Sequence, residues 1–271
     1  MKWTILIIHC LLMACAQTGL GQKVTVKTDE PHLLQAEEVQ LSPPQLLIDS
    51  LFFYQSTQLK MALNLRGSNL YYSLNDGPEQ RYFKAILMEK SSHLRMQARK
   101  PGFQASDWLE LRTVKVNDKF RKAKVRLSRE ASEQYPGQGV ASLIDLKKGG
   151  LDFRAESAWL GFQTTELVIQ VELEEMTAGE QLFLSFLSDH NAWIFLPQKV
   201  EIWHGDQQIG HQILDHPSES TRAHSLILPI PLTKGNYQQL DIKIVALAQI
   251  PDWHPGKGQL PWLFIDEILI N

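Results

Sequence analysis

Apolar and polar residues alternate along short stretches of the chain. Leu59 and Met61 are two positions apart, and Leu167 and Ile169 repeat this spacing. Alternate side chains of a strand point to opposite faces, so this period predicts strands with one buried face. The stretches that read as strands are 58–65, 70–74, 94–99, 108–116, 166–173, 182–187, 199–203, 225–230, 240–246 and 263–270. Because Pro, Gly, Asp and Asn separate them and no helical period is sustained, we predict an all-β chain built as two β-sandwiches.

The strands fall into two groups, separated by a segment of different composition. Residues 117–129 contain a basic run, which we interpret as a connection or a solvated strand rather than a binding patch. We therefore predict a small sandwich at 46–116 and a larger one at 130–271, preceded by a linker or edge segment at 22–45. Within the first sandwich, Asn75-Asp-Gly77 predicts a tight turn whose positive φ comes from the Asp-Gly pair.

The first residues are organised like a targeting segment. Lys2 precedes an apolar run at 3–16 and small residues follow, which is typical of a signal peptide; we assign it to 1–21. The string LMAC, which ends at Cys15, resembles a bacterial lipobox, so a lipoprotein anchored at Cys15 is the alternative to free secretion. Both cysteines, Cys10 and Cys15, lie in this segment. We predict a secreted, periplasmic or cell-envelope protein whose mature form has no disulfide.

Charge and hydropathy exclude two classes of partner. The chain has 27 basic and 30 acidic residues, a balance that offers no polycationic face to nucleic acid. After the leader, no apolar run approaches the roughly 20 residues that a membrane-spanning helix needs. We therefore expect neither a nucleic-acid partner nor a transmembrane helix after the signal peptide is removed.

Two motifs in the first half resemble a known module. YYSLNDG at 71–77 and LRMQARKPGFQAS at 94–106 resemble the small C-terminal-type sandwich appended to bacterial chitobiases and β-N-acetylhexosaminidases. In this sequence Asn75 interrupts the module's usual Leu-Asp-Gly turn. The resemblance covers 46–116 and implies an immunoglobulin- or fibronectin-like fold.

An ordered series of motifs in the second half resembles a discoidin-like domain. The motifs are YPG at 135–137, LID at 143–145, WLGF at 159–162, WIFLP at 193–197, PDWHPG at 251–256 and WLFIDE at 262–267. They resemble the factor V/VIII C-type, galactose-binding-like domain that ends many bacterial hexosaminidases. The resemblance covers 130–271 and implies a discoidin-like jelly roll in a superfamily where many domains bind glycans. The catalytic barrel of those enzymes has no counterpart in these 271 residues.

Glu267 places a carboxylate in an apolar strand. By alternation it shares a face with Leu263 and Ile265, and a buried charge without a partner is strongly unfavourable. A cation would neutralise it. The alternatives are an ion pair with Arg154 or a solvated position.

The discoidin-like resemblance implies calcium as that cation. In such modules a loop Asp and a near-terminal Glu share a calcium ion, and Asp145 and Glu267 fall on the matching positions. Calcium prefers carboxylate and carbonyl oxygens, which a loop of this kind supplies. Here Leu146 replaces the Gly that usually follows the Asp.

The loop that begins at Ile250 carries Asp252, Trp253 and His254. A Trp ring offers a flat apolar face to a sugar while neighbouring polar groups fix its orientation, so these three are the candidate ligand-binding residues. The alternative is an architectural corner that locks the last strands. Trp159 and Trp193 open or interrupt apolar strands, and we predict that both are structural.

Asp252 and His254 also have the spacing of a base and its orienting carboxylate, but no nucleophile or metal-binding motif accompanies them. We therefore predict that the protein is not an enzyme and needs no cofactor other than a structural calcium ion. The predicted function is that of an exported, non-catalytic carbohydrate-binding or cell-envelope protein, whose jelly roll contacts a glycan or cell-envelope polysaccharide. A structural or assembly protein that binds a partner polypeptide is the alternative, and a hydrolase-associated accessory subunit is the second alternative.

Overall fold

Strands dominate the described part of the chain. The computed structural model describes residues 39–155 and 157–271. Within them it has sixteen strands and three short 3₁₀ helices, which confirms the predicted all-β class. In the same ranges, the structure contains no helix with the length and hydropathy needed to cross a bilayer. The predicted signal peptide at 1–21, the lipobox ending at Cys15 and residues 22–38 of the predicted linker lie outside the described residues.

Two small sheets form the first sandwich. One has three antiparallel strands in the order β1 (Gln45–Ile48), β3 (Thr57–Ala62), β6 (Ile86–Met88). The other has the order β2 (Phe52–Phe53), β8 (Leu109–Lys115), β7 (Ser92–Arg99), β4 (Asn69–Leu74), β5 (Gln80–Arg81), with β2 parallel to β8 and the other pairs antiparallel. Leu59 and Met61 of the first sheet form one buried cluster with Leu94 and Met96 of the second. The predicted alternation therefore places the core correctly here.

The turn between β4 and β5 draws its positive φ from only one of the two residues predicted for it, together with the residue before. Asn75 and Asp76 have φ of 51° and 57°, and the Gly77 N–H donates to the Leu74 carbonyl at 2.9 Å. Two central residues with positive φ are the pattern of a type I′ hairpin turn. Gly77 serves another purpose, because a Cβ there would lie 2.9 Å from the Leu74 oxygen. The predicted turn is present, and the positive φ was correctly expected at Asp76 but lies at Asn75 rather than at Gly77.

A seven-stranded sheet forms the second sandwich. Its order is β11 (Leu160–Phe162), β16 (Leu263–Ile270), β12 (Glu166–Ser188), β15 (His224–Val245), β13 (Lys199–His204), β14 (Gln207–Ile213), and β9 (Lys124–Leu127) also pairs with β12. The connections contain β10 (Gly137–Val140) and the 3₁₀ helices Asp118–Lys122, Ala141–Ile144 and His190–Ala192. Leu167 and Leu184, from opposite halves of β12, lie in one buried cluster, so the sheet folds across itself around a common core.

β12 and β15 each join two strands that the sequence pattern separated. β12 runs through the predicted strands 166–173 and 182–187, and β15 runs through 225–230 and most of 240–246. Their pairing shifts register between Glu172 and Thr177 and again between Gly179 and Gln181. Irregularities of this kind break the two-residue period without ending the pairing. The alternation of apolar and polar residues is therefore interrupted within each of these strands, although the strand itself continues.

The two sandwiches share an apolar contact. Phe52 and Val114 of the first belong to the same buried cluster as Ile268 of the second, and the Asn117 N–H donates to the Ile270 carbonyl at 2.8 Å. All described residues belong to one structural unit. The boundary predicted at 117–129 stays a prediction, and within that segment β9 joins the seven-stranded sheet.

Candidate functional site

A β-bulge in β16 sets the direction of its two carboxylates. Ser185 pairs with Glu267, but the next residue, Phe186, pairs with Ile265, which leaves Asp266 as the extra residue. An inserted residue reverses the alternation across it. Glu267 therefore does not share the face of Ile265, as the uninterrupted period predicted. Asp266 and Glu267 are both fully buried.

Lys148 neutralises one of these carboxylates. Its ammonium donates to Asp266 Oδ2 at 2.9 Å, and the Gly149 N–H donates to the same oxygen at 2.6 Å. The ammonium also lies 4.1 Å from the centre of the Trp159 ring, and the Trp159 indole donates to the Gly150 carbonyl at 2.9 Å. Lys148 and Gly149 thereby fasten the loop to Asp266 of β16, and Gly150 fastens it to Trp159.

Glu267 lies beside Asp145, as the predicted calcium pair requires. Neither Glu267 oxygen makes a well-formed hydrogen bond among the described residues, although the Asp145 carboxyl and the Lys147 N–H lie near enough to act on it. Burial, the neighbouring carboxyl of Asp145 and the charge of Asp266 raise the pKa of Glu267 to about 10. Asp145 accepts from the Lys147 N–H at 2.9 Å. The alternative partner Arg154 stacks over the Phe153 ring instead, 4.3 Å from its centre.

The buried carboxyl of Glu267 beside a second carboxyl needs either a proton or a cation, whereas Asp145 is only half-buried and lies 3.8 Å from the Lys147 ammonium. The donor set of Asp145 and Glu267 suits a hard cation such as calcium. The described residues contain no cluster of three or more His, Cys, Asp or Glu side chains arranged to hold a metal. A calcium ion here would therefore take its remaining ligands from backbone carbonyls and water.

The predicted ligand residues occupy different environments. Asp252 is exposed and Trp253 is half-buried, with the indole packed against Phe195 and Ile250. His254 is 7% exposed. Only Asp252 and part of Trp253 are therefore accessible to a ligand. His254 is buried inside the loop that begins at Ile250.

Both ring nitrogens of His254 are bound to backbone. The Gly256 N–H donates to His254 Nδ1 at 3.0 Å, so the ring proton lies on Nε2 and is donated to the His190 carbonyl at 2.8 Å. A ring engaged in this way has no free nitrogen to act as a base. The geometry assigns His254 to the architecture of this loop.

Trp193 presents the exposed indole of this region. It follows the helix His190–Ala192 in the left-handed conformation, with φ of 63°, and its side chain is 41% exposed. A Cβ at Gly256 would lie 3.0 Å from the indole, so the ring rests directly on that backbone. The prediction that Trp193 is structural stays a prediction, because the indole is packed on Gly256 and His254 on one side and open to solvent on the other.

Trp193 and Trp253 line a cleft with a volume of about 500 Å³. Asn191, Glu219 and Ser220 supply its polar groups, and Glu219 and Ser220 are both exposed. An aromatic floor with a few polar groups above it is the usual composition of a small-ligand site. We call this feature the aromatic cleft. Its polar residues were missed in the sequence because no local pattern connects 219–220 with 191–193 or 253.

The chain thus has a two-sandwich, all-β fold with an aromatic cleft on the second sandwich. No family model matches the chain, and no curated protein matches it. One solved structure that it resembles is the family 32 carbohydrate-binding module of EndoD from Streptococcus pneumoniae, with 9% identity, a TM-score of 0.37, and coverage of 55% of this chain and 95% of that chain.

Two further solved structures are similar at the same level. A SusE-like protein shares 10% identity with a TM-score of 0.37, over 83% of this chain and 95% of that chain. The family 32 module of NanJ from C. perfringens, solved in complex with galactose, shares 10% identity with a TM-score of 0.34, over 56% of this chain and 95% of that chain. Galactose is a ligand of that protein. The hexosaminidase-type origin predicted for 46–116 stays a prediction.

Proposed function

We propose that the protein is an exported, non-catalytic carbohydrate-binding protein whose second sandwich binds a glycan in the aromatic cleft. The exposed Trp193 indole beside the carboxylate of Glu219 carries the proposal. One face of a sugar ring is apolar and its edge is lined with hydroxyls. A flat indole with carboxylate and amide groups beside it therefore suits both parts of the ring.

The expected strength of this contact follows from the exposed area. Covering the free part of an indole with a sugar ring stabilises the complex by roughly 1.5–2 kcal/mol at about 25 cal/mol per Å². A change of about 1.4 kcal/mol is tenfold in Kd. Loss of the indole should therefore weaken binding about tenfold or more, provided that the ring is the floor of the site.

The test is binding to a glycan array, followed by titration of the best glycan into wild type and Trp193→Ala. The matched control is Phe83→Ala, which removes another exposed aromatic side chain on the first sandwich. We expect at least a tenfold loss for Trp193→Ala and no change for Phe83→Ala. Absence of binding to neutral and acidic glycans, or equal affinity of the two variants, would favour the alternative in which this surface contacts a partner polypeptide.

We also propose a structural calcium ion held by Asp145 and Glu267. Its support is the buried carboxyl of Glu267 beside a second carboxyl. The ion would fasten the loop at 145–150 to β16, and its role would be stability rather than chemistry.

A further inference from the structure

A second cleft lies where the first sandwich meets the second. Val114 on the outer face of β8 packs into the shared core, and Arg112, two residues earlier, lies on the same face. Arg112 is the partner of His93 across the β7–β8 ladder. Opposite them stand Ile227 and Pro229 of β15, and the space between has a volume of about 270 Å³. We call this feature the junction cleft.

Basic groups outnumber acidic groups on its walls. Arg112, His93 and Lys148 face it, and Glu110 is the one acidic residue among its lining side chains. Glu110 already lies 3.4 Å from His93 and 3.4 Å from Arg95. Lys148 is committed to Asp266 at 2.9 Å. Lys148 is itself cationic and adds to the positive charge, and the one acid of the cleft is shared between His93 and Arg95.

Arg112 itself makes no ion pair within 4.0 Å of any described carboxylate. Its guanidinium is half-buried, and burial lowers the pKa of Arg112, against the opposing charges of Glu110 and Asp76. A partly desolvated guanidinium is stabilised most by a carboxylate, sulfate or phosphate that takes two of its N–H donors. The cleft thus offers a guanidinium that no described carboxylate contacts directly, although the charges of Glu110 and Asp76 act on it from farther away.

The apolar character of the opposite wall favours a ligand with an apolar face over a small inorganic anion. Leu226, Ile227 and Pro229 are half-buried and form an apolar surface across from the guanidinium. Such a wall contributes nothing to a small inorganic ion, whereas it suits the C–H face of a sugar ring. The volume of the cleft suits a single ring rather than a long oligosaccharide.

We propose that the junction cleft binds one acidic sugar residue, a hexuronate whose carboxylate is held by Arg112 and whose ring lies on the wall of Ile227 and Pro229. This site is separate from the aromatic cleft and does not depend on it. It gives the protein a preference for anionic glycans that the aromatic cleft alone does not supply.

The test is titration of wild-type protein with D-galacturonate, D-galactose and sodium sulfate at equal ionic strength, followed by calorimetry or NMR. We expect saturable binding of galacturonate that weakens as salt is raised, with galactose and sulfate at least tenfold weaker. Arg112→Gln should lose at least tenfold in galacturonate affinity. The control Arg126→Gln removes the same charge at an exposed position of β9 and should bind as wild type does.

Two further variants separate this proposal from the others. Arg112→Lys keeps the charge without the two-pronged geometry, and we expect an intermediate affinity together with wild-type circular dichroism and thermal stability. Trp193→Ala should leave galacturonate binding at this site unchanged, so a failure of the aromatic cleft and a failure of the junction cleft are distinguishable. The proposal is overturned by equal binding of galactose, by equally strong binding of sulfate, or by wild-type affinity in a folded Arg112→Lys and Arg112→Gln pair.

Discussion

Glu267 is the residue whose surroundings most need a partner from outside the chain. It is fully buried, and the carboxyl of Asp145 and the charge of Asp266 add to the effect of burial in raising its pKa. The Lys148 ammonium lies on Asp266 rather than on Glu267. At neutral pH Glu267 therefore holds a proton, or a cation displaces that proton.

These two states predict different responses of a Glu267→Gln variant to calcium. In EDTA the amide replaces a protonated carboxyl of the same shape, so we expect the free energy of unfolding to change by only about 1 kcal/mol or less. Added calcium should raise the Tm of wild type, because an ion at 100 times its Kd stabilises the folded state by about 2.7 kcal/mol. The variant should show no such rise. Differential scanning calorimetry with and without calcium measures both.

The control for this experiment is Glu133→Gln, which removes an exposed carboxylate and should respond to calcium as wild type does. A wild-type Tm that calcium leaves unchanged would contradict the proposed ion. An equal rise in the Glu267→Gln variant would place calcium elsewhere on the molecule.

At the scale of elements, the hairpin that joins β4 to β5 is under local strain that one substitution relieves. Asp76 has φ of 57°, a conformation that glycine adopts without penalty. We expect Asp76→Gly to raise the free energy of unfolding by roughly 0.5–1 kcal/mol, as the sequence then becomes the Asn-Gly pair favoured in such turns. Asn75→Gly should destabilise instead, since the Asn75 side chain accepts from the His93 N–H at 2.8 Å. Urea unfolding measures the free energy of unfolding of both variants. A lower value for Asp76→Gly than for wild type would contradict the turn geometry.

The elements show what the sequence determines by itself and what it does not. The alternation of Leu94 and Met96 placed the core of the first sandwich, because each strand there is short and regular. The same alternation divided β12, where a register shift after Glu172 breaks the period while pairing continues. It also misplaced the face of Glu267, because the bulge at Asp266 depends on pairing with β12, which lies about 80 residues away in sequence.

The candidate sites were predictable only where a family resemblance connected residues that are distant in the sequence. Asp145 and Glu267 came together as the resemblance implied, whereas the aromatic cleft includes Trp193, for which the sequence analysis predicted only a structural role. The exposure of Trp193 follows from its left-handed backbone and from the absence of a side chain at Gly256. Neither can be read from the alternation of apolar residues.

The loops around the aromatic cleft are joined through a buried histidine. His190 is 3% exposed, and its Nδ1 accepts from the Thr221 N–H at 3.1 Å. Its ring stacks on Phe195 with centroids 4.6 Å apart. Burial lowers the pKa of His190, as do the neighbouring His254 and His224 and, to a smaller extent, His216, while Asp189 opposes the shift.

This lowered pKa predicts a loss of stability in acid. Above the unfolded-state pKa of 6.5 the ring is neutral in both states. As the pH falls below that value, the unfolded chain takes up a proton that the folded chain resists, so stability drops by up to about 1.4 kcal/mol per pH unit until the folded pKa is reached. Free energies of unfolding at about pH 7.5 and pH 5 should differ by less in His190→Gln than in wild type. The exposed His211 provides the control, since His211→Gln should keep the wild-type difference; an identical pH dependence in all three proteins would contradict the role of His190.

At the scale of the whole molecule, the contact between the sandwiches predicts a single cooperative unfolding transition. Phe52 and Val114 of the first sandwich are buried in a cluster that continues into the second, so neither sandwich can unfold without exposing apolar surface of the other. Val114→Ala should lower the free energy of unfolding by roughly 2 kcal/mol through the cavity it leaves and shift one transition as a whole. Leu47→Ala, at a side chain that is 67% exposed on β1, should leave it in place. The measurement is calorimetry combined with tryptophan fluorescence, and a shared core requires that the two unfolding curves coincide. Two transitions, of which Val114→Ala shifts only one, would show instead that the sandwiches unfold independently.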